Sequence, residues 1–378
     1  MSDLLRQDII ASAELIVVKV GTRVLTRDDG QLDTGRISKL AEQLQSIHAT
    51  GRRVILVSSG AVGAGMNLLG LKKRPQDVAT LQAVAAVGQA RLINEYDLHF
   101  RNQGYHAAQV LLTADDLDDR KRYLNVRNTL LRLLQMNAVP VINENDTVAV
   151  DELMRTFGDN DRLAAVVTNL LRASLLVILS DVEGLFDGDP QLATSRVVPV
   201  VTDIDATVES FVRDRRGDLS KGGMSSKLEA ARIATTAGEN VIIASGRRLE
   251  ALSEILEGRC VGTLFVAQGK SITPLKRWIG FSAQPRGTFV LDEGACQAIL
   301  TQGRSLLAIG VREISGKFEK GDVVSLRTSS GEEIARGLTN YDASDMERIY
   351  GQRSTKIAEI LGHCPYEEVI HRDNLTIV

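Results

Sequence analysis

Six short runs rich in Val, Ile and Leu alternate with longer helical patterns over the first 265 residues: LIVVKV (15–20), RVILVSS (53–59), AAQVLL (107–112), AVPVIN (138–143), SLLVILS (174–180) and NVIIAS (240–245). Nearly continuous apolar strands of this kind are buried on both faces, as in a parallel sheet. Between them, TGRISKLAEQLQSIHATG, VATLQAVAAVGQARLINEYDLHFRNQG, NVRNTLLRLLQMN, DRLAAVVTNLLRA and SSKLEAARIATTAG carry helical periodicity, several with Gly or Asn near the C-terminal end. The alternation predicts a mainly parallel central sheet between two helical layers, a three-layer αβα sandwich. Ligands of such sheets bind beyond the carboxyl ends of the strands, so the polar loops there come first as candidate sites.

After residue 265 the texture changes to short segments punctuated by Gly, such as GTFVLDEGACQAIL and LLAIGVREISGKFEKGDVVSLRTSSGEEIARGLTNY, with one helical pattern at STKIAEILG (354–362). This predicts a small β-barrel-like domain over 278–378, joined by a linker at 266–277 to a catalytic domain at 1–265. The net charge of −3 gives no global reason to expect nucleic-acid or membrane binding. Cys260, Cys296 and Cys364 are scattered and odd in number, which disfavours a disulfide framework or a zinc site and fits a reducing cytoplasm. Arg6, Asp8 and Glu14 interrupt the first apolar residues, so no signal peptide is expected, and no segment reaches the roughly 18 apolar residues of a membrane span.

Five stretches carry candidate chemistry. In VVKVGT (17–22) Lys19 interrupts an apolar strand before a Gly; it either snorkels to solvent or sets a fixed cation at the mouth of the sheet. In VSSGAVGAGM (57–66) a strand runs into Gly60, Gly63 and Gly65, which suits either an anion at a helix N-terminus or close packing. It matches neither the Walker pattern nor the dinucleotide fingerprint. In SKGGMSSKLEAARIA (220–234) Gly222 and Gly223 precede a helix whose first turn holds Ser225, Ser226 and Lys227, again a phosphate-like setting or an ordinary capped helix. SDVEGLFDGDP (180–190) ends a strand in an acidic Gly/Pro loop.

The fifth stretch, INENDTVAVDELMRTFGDNDRLAAVV (142–167), crowds Asn143, Asn145, Asp146, Asp159, Asn160 and Asp161 between two apolar runs without His or Cys; Glu144, Asp151 and Glu152 read as solvated framing. The five His residues are dispersed and no nucleophile elbow surrounds Ser59. Two lysines, two glycine-rich loops and an Asn/Asp cluster at strand ends together describe phosphoryl transfer, where positioning and charge neutralisation outweigh covalent chemistry.

These stretches, with LQAVAAVGQARL and VGTLF, occur in the order and approximate spacing of the glutamate 5-kinase family, and the chain resembles it over nearly its whole length. The resemblance implies the amino acid kinase fold followed by a PUA domain, and ATP-dependent phosphorylation of the L-glutamate side-chain carboxylate to L-glutamyl 5-phosphate, the first step of proline biosynthesis. Lys19 and Lys227 would flank the transferring phosphoryl group and Asp161 would hold both. Ser59, Asp146 and Asn160 match glutamate-binding positions, with Asn143 and Asp159 as supports. Asp146 would attract the substrate's ammonium group while the asparagines hydrogen-bond its carboxylates. Lys19, Ser180, Asp181, Lys221, Gly222, Gly223, Met224, Ser225, Ser226 and Lys227 match ATP-binding positions, with Mg²⁺ carried on the ATP phosphates.

Two positions depart from the family pattern. Lys221 stands where the family commonly has Thr, and Ser226 replaces Thr with retention of the hydroxyl. By the same resemblance the protein is expected to form dimers or tetramers and to be feedback-inhibited by proline. RNA binding by the PUA region is disfavoured by the net acidity. The competing readings are an amino acid kinase with N-acetylglutamate or aspartate as acceptor, and an RNA-binding module on an inactive kinase scaffold.

Overall fold

Each apolar run above forms a strand, and two short strands join them: β1 Leu15–Val20, β2 Arg53–Ser58, β3 His106–Leu112, β4 Ala138–Glu144, β5 Leu175–Ser180, β6 Val200–Val201, β7 Asn240–Ser245 and β8 Thr263–Phe265. The computed structural model describes residues 2–27, 30–102, 104–149, 160–213, 223–268 and 273–378. The chain divides into two compact units, one of 1–117 and 121–270, the other of 271–378 with 118–120.

In the first unit the strands form one sheet in the order β3-β4-β2-β1-β5-β7-β8-β6. All pairs are parallel except β7 with β8, where the chain turns back. β1 lies in the middle, with Lys19 beside Val57 of β2 and Ile178 of β5. The carboxyl ends of β1, β2, β4 and β5 therefore share one edge, the edge that carries Asn143 and Ser180 at strand ends and Ser59 just after β2.

Side-chain alternation along β1 assigns the two faces. Ile16, Val18 and Val20 pack in a core with Ile37, Leu40 and Leu44 of the helix Thr34–Ala49 and with Leu92, Tyr96 and Phe100 of the helix Val78–Arg101. Val17 and Lys19 turn to the other face, where the helix Asn160–Leu171 lies. That helix is buried nearly all round, and Met224–Thr236 packs beside it through buried Ala230, Ala231 and Ala234. Side chains also mark the helix starts on the first face: Asp33 accepts from Arg36 N (3.1 Å) and Asp77 from Thr80 N (2.9 Å). Buried Arg6 ties the N-terminal helix Ser2–Ala11 to the far side of the sheet, donating to Val261 O (2.7 Å) and Pro199 O (2.9 Å).

The glycines of the 57–66 stretch divide by role. Gly60 adopts φ 108° at the turn from β2 into the helix Ala61–Leu68, a left-handed conformation that favours glycine. Gly65 instead allows close packing against Val78–Arg101: a Cβ there would fall 1.8 Å from Val84 O, and one on Gly88 would fall 1.8 Å from Ala61 O. The close-packing reading thus holds for Gly65, and it is the contact that brings the middle of the long helix against the loop after β2.

The second unit contains a five-stranded sheet in the order β10-β9-β11-β12-β13, with β9 Gly287–Leu291, β10 Val311–Gly316, β11 Val323–Arg327, β12 Glu333–Leu338 and β13 Leu375–Ile377. Phe289, Leu291, Val311, Phe318, Val324, Leu326, Val369 and Ile370 form its core. The helical pattern at 354–362 appears as Ser354–Leu361, but it is joined by Glu293–Gln302 and Ala343–Ile349. Both added helices are capped by an Asp, Asp292 accepting from Ala295 N and Asp342 from Asp345 N. Residues 274–277 of the expected linker form a short helix, Pro274–Arg277. No described helix is long and apolar enough to cross a membrane.

The Gly88 contact yields a stability prediction. Gly88→Ala must push two helices apart, which overpacking data place at about 1–3 kcal/mol of destabilisation. Thermal unfolding should show a clearly lower midpoint, whereas Val87→Ala at an exposed position of the same helix should change it little; an unchanged midpoint for Gly88→Ala contradicts the close packing.

Candidate active site

The centre of the site is a buried carboxylate between two buried lysines. Asp161, in the first turn of Asn160–Leu171, is fully buried, and Lys19 and Lys227 are nearly so. Lys19 Nζ pairs with Asp161 Oδ1, and Lys227 Nζ lies 3.1 Å from Oδ2. Ser226 Oγ adds a contact at 3.3 Å to the same Oδ2. Burial alone would raise the Asp161 pKa, but the two ammonium groups outweigh it and hold the carboxyl below the usual carboxylate range. The trio carries a net positive charge at the carboxyl edge of the sheet. Lys19 reaches it by strand alternation, and Lys227 because it sits one turn into Met224–Thr236, which packs alongside the Asp161 helix.

Beside the trio lies a chain of amides. Asn160, adjacent to Asp161 in sequence, donates through Nδ2 to Ser59 Oγ (2.9 Å) and Asn143 Oδ1 (2.9 Å), with Ser58 O at 3.4 Å. Asn143, at the end of β4, in turn donates through Nδ2 to Gln89 Oε1 (2.8 Å). Ser58 Oγ meets Tyr96 OH at 3.0 Å, so β2 and Val78–Arg101 also share a buried hydroxyl pair. Asp146, in the turn after β4, is half-buried, and burial pushes its pKa up to about 6 against the opposing charge of Arg74.

On the other side of the trio, Ser180 ends β5 and its hydroxyl donates to Asp181 (3.1 Å). Burial raises the Asp181 pKa, but Arg23, 2.8 Å away, overrides it and leaves the carboxyl below its ordinary value. Gly223, extended at φ −69° and ψ −177°, precedes Met224–Thr236, so the backbone N–H groups around Met224, Ser225 and Ser226 open the helix N-terminus. A cavity of about 250 Å³, lined by Glu209, Val212, Ser225, Leu228, Glu229 and Arg232, opens beside this first turn.

The structure thus brings Lys19, Asp161 and Lys227 into direct contact, and links Ser59, Asn143 and Asn160 by hydrogen bonds. Asp159, Lys221 and Gly222, like the framing residues Asp151 and Glu152, lie outside the described residues. Gln89, Tyr96 and Arg23 join the site without having been picked out as candidates from the sequence. The signal for Gln89 is the Gly-Gln pair at 88–89, where a glycine in mid-helix marks a close approach and the next residue is a long amide on a buried face. Among the described residues no group of three His, Cys, Asp or Glu side chains converges on a metal-sized position.

Comparison with known proteins places the chain. The amino acid kinase family model matches residues 14–245, and the PUA domain model matches 287–361. The chain is 50% identical to the glutamate 5-kinase of Rhodopirellula baltica over 373 residues, 99% of this chain and 96% of that protein. It is 44% identical to the glutamate 5-kinase of Nitrosospira multiformis (98% and 100% covered) and 45% identical to that of Chromohalobacter salexigens (98% of each). Among solved structures, the carbamate kinase of Giardia lamblia bound to AMP-PNP superposes with a TM-score of 0.50 at 17% identity, over 68% of this chain and 100% of that one, a likeness of fold alone. With its sheet order, its buried Lys–Asp–Lys trio and full-length relatives well above 30% identity, the chain belongs to the amino acid kinase family, in its glutamate 5-kinase branch with a C-terminal PUA domain.

Proposed function

We propose that the protein transfers the γ-phosphoryl group of ATP to the side-chain carboxylate of L-glutamate. The observation that carries this reading is the buried Lys19–Asp161–Lys227 trio set between an amide cluster and a helix N-terminus. Positive charge whose one carboxylate, Asp161, is tied up by two lysines suits an acceptor that is already ionised near pH 7 and needs no general base. A glutamate carboxylate oxygen attacks the γ-phosphorus, the bond to the bridging oxygen breaks, and ADP leaves with the electron pair. Lys19 and Lys227 offset the charge that spreads over the phosphoryl oxygens, while Asp161 fixes both ammonium groups and itself stays ionised.

Glutamate is assigned to the loops after β2 and β4, with Ser59 and Asn160 at its side and Asp146 facing its ammonium group. ATP is assigned to Ser180, Asp181 and the start of Met224–Thr236, where backbone N–H groups and Lys227 favour phosphate. The donor chemistry fits a Mg²⁺ that arrives on the ATP phosphates, since such ions keep phosphate and water oxygens as ligands. When bound, it neutralises phosphate charge. The full-length relatives named glutamate 5-kinase support the choice of acceptor. Domain limits of 1–265 and 278–378, self-association and inhibition by proline belong to the same reading.

The direct test is incubation with ATP, Mg²⁺, L-glutamate and hydroxylamine, which traps an acyl phosphate as its hydroxamate. Hydroxamate should form with glutamate in preference to N-acetylglutamate or aspartate; no product above a control lacking glutamate contradicts the reading. Lys19→Ala and Lys227→Ala should each lower kcat by about 10²- to 10³-fold, the loss typical of one transition-state donor. Near-normal turnover in a variant that still folds removes that lysine from the mechanism.

Asp146 makes the reaction pH-dependent. Its folded pKa of about 6 lies above the ordinary carboxylate value, so the burial penalty on its charge is present above about pH 6 and is relieved as it takes up a proton on acidification. Protonation favours the folded state but removes the anion that meets the substrate's ammonium group. At saturating ATP the KM for glutamate should therefore rise as pH falls from 7 to 5, and Asp146→Asn should show a raised KM with that dependence lost. A KM unchanged across this range in the wild type rules out the assignment.

A further inference from the structure

We propose that Gln89 is a positioning residue that fixes the direction of an amide relay, Asn160 to Asn143 to Gln89, and thereby makes Asn160 a hydrogen-bond acceptor for the amino group of the substrate. Gln89 lies on Val78–Arg101 behind the site and is 93% buried, as its relative exposure of 7% requires. Its Oε1 accepts from Asn143 Nδ2 at 2.8 Å. Asn143 is thereby held with its own oxygen toward Asn160, from which it accepts at 2.9 Å. The far end of the relay is pinned in the same sense, because Asn160 Nδ2 also faces the backbone carbonyl of Ser58 at 3.4 Å, which can only accept, and donates to Ser59 Oγ at 2.9 Å.

The direction has a chemical consequence. Asn160 Nδ2 has two N–H groups and three oxygens facing it within the relay, so Asn160 has no amide N–H left for a substrate carboxylate, whereas Asn143 spends one of its two on Gln89. Asn160 Oδ1 forms no hydrogen bond among the described residues and is the atom left to a ligand. An acceptor there selects a donor: a free ammonium group rather than an acylated nitrogen, which carries no charge and a single N–H. The expectation that the asparagines bind the carboxylates is thus reversed for Asn160. Turning Gln89 over would set two N–H donors face to face at Asn143, so the observed sense is the one that Gln89 can support.

Gln89 itself bears a penalty for this arrangement. Its Nε2 is buried and has no hydrogen-bond partner among the described residues. An orphaned buried donor is uncommon, and here it sits on the residue whose oxygen ends the relay. The Gly88 contact with Ala61 explains how the side chain is held there, since it presses this turn of the helix against the loop after β2.

The inference rests on the glutamate-site reading above, and the experiment separates the two. Steady-state kinetics by hydroxamate trapping are measured for wild type, Gln89→Met and Gln89→Glu, with unfolding temperatures recorded for each. Gln89→Met keeps the length but cannot accept, so the KM for L-glutamate should rise tenfold or more, with kcat and the KM for ATP within threefold of wild type. Discrimination against N-acetyl-L-glutamate should shrink as well. Gln89→Glu keeps an accepting oxygen toward Asn143 and should restore the glutamate KM to within threefold. A folded Gln89→Met with wild-type KM, or a loss confined to kcat, overturns the positioning role; a KM as poor in Gln89→Glu as in Gln89→Met overturns the acceptor assignment. Should Gln89→Met not fold, Gln89→Ala, which likewise cannot accept from Asn143, is measured against the same limits. Failure of the wild type to phosphorylate glutamate would fall on the parent reading instead.

Discussion

Asp161 is the charge on which the site depends. Two lysines buried at the edge of a sheet would repel each other and lose their hydration, and the fully buried carboxylate between them compensates both. Removing one partner and leaving a buried charge unpaired costs about 3–5 kcal/mol in comparable cases, so β1, Asn160–Leu171 and Met224–Thr236 must keep the three side chains together. It also ends one positive charge in excess. In the proposed function that charge would face the phosphates, and the lowered pKa of Asp161 keeps the carboxylate ionised between the lysines.

Topology supplies the rest. With β1 in the centre of the sheet, its carboxyl end stands between the ends of β2 and β5. The loop after β2 leads to Ser59 and the amide cluster, while the loop after β5 leads to Ser180 and Asp181. In the proposed function, acceptor and donor sides would therefore lie left and right of the same lysine. The adjacency of Asn160 and Asp161 at one helix start joins the two sides: one side chain enters the amide relay and the next holds the cations.

Much of this was legible in the residues. Five of the six apolar runs were readable because strands buried on both faces need no alternation; the sixth, β3, is an edge strand and largely part-exposed, yet each became a strand within two residues of its expected bounds. Val200–Val201 and Thr263–Phe265 are too short to show a period, and the antiparallel turn at β8 leaves no mark in local sequence. In the second unit EGACQAIL was obscured by its Gly and by a flanking β-rich run, although Asp292 before it and Gly303 after it are ordinary helix limits. Lys19 stood out as a charge in an apolar strand, Asp161 as part of an Asn/Asp cluster and Lys227 at a glycine-rich helix start, but their roles came from the family resemblance. Gln89 and Arg23 did not stand out, because a polar residue on a long helix or after a strand looks like surface until the fold buries or pairs it. The shift of Asp146 likewise depends on burial that only the fold defines.

The account turns on Asp161 acting through charge on two lysines rather than as packing. Asp161→Asn keeps the shape of the side chain and removes the charge, so kinetics of this variant by acyl-phosphate trapping test the claim most directly. With folding verified by its circular dichroism spectrum, kcat should fall at least a hundredfold while Asn160 and the glutamate site remain in place. A folded Asp161→Asn enzyme turning over at close to the wild-type rate would contradict the account.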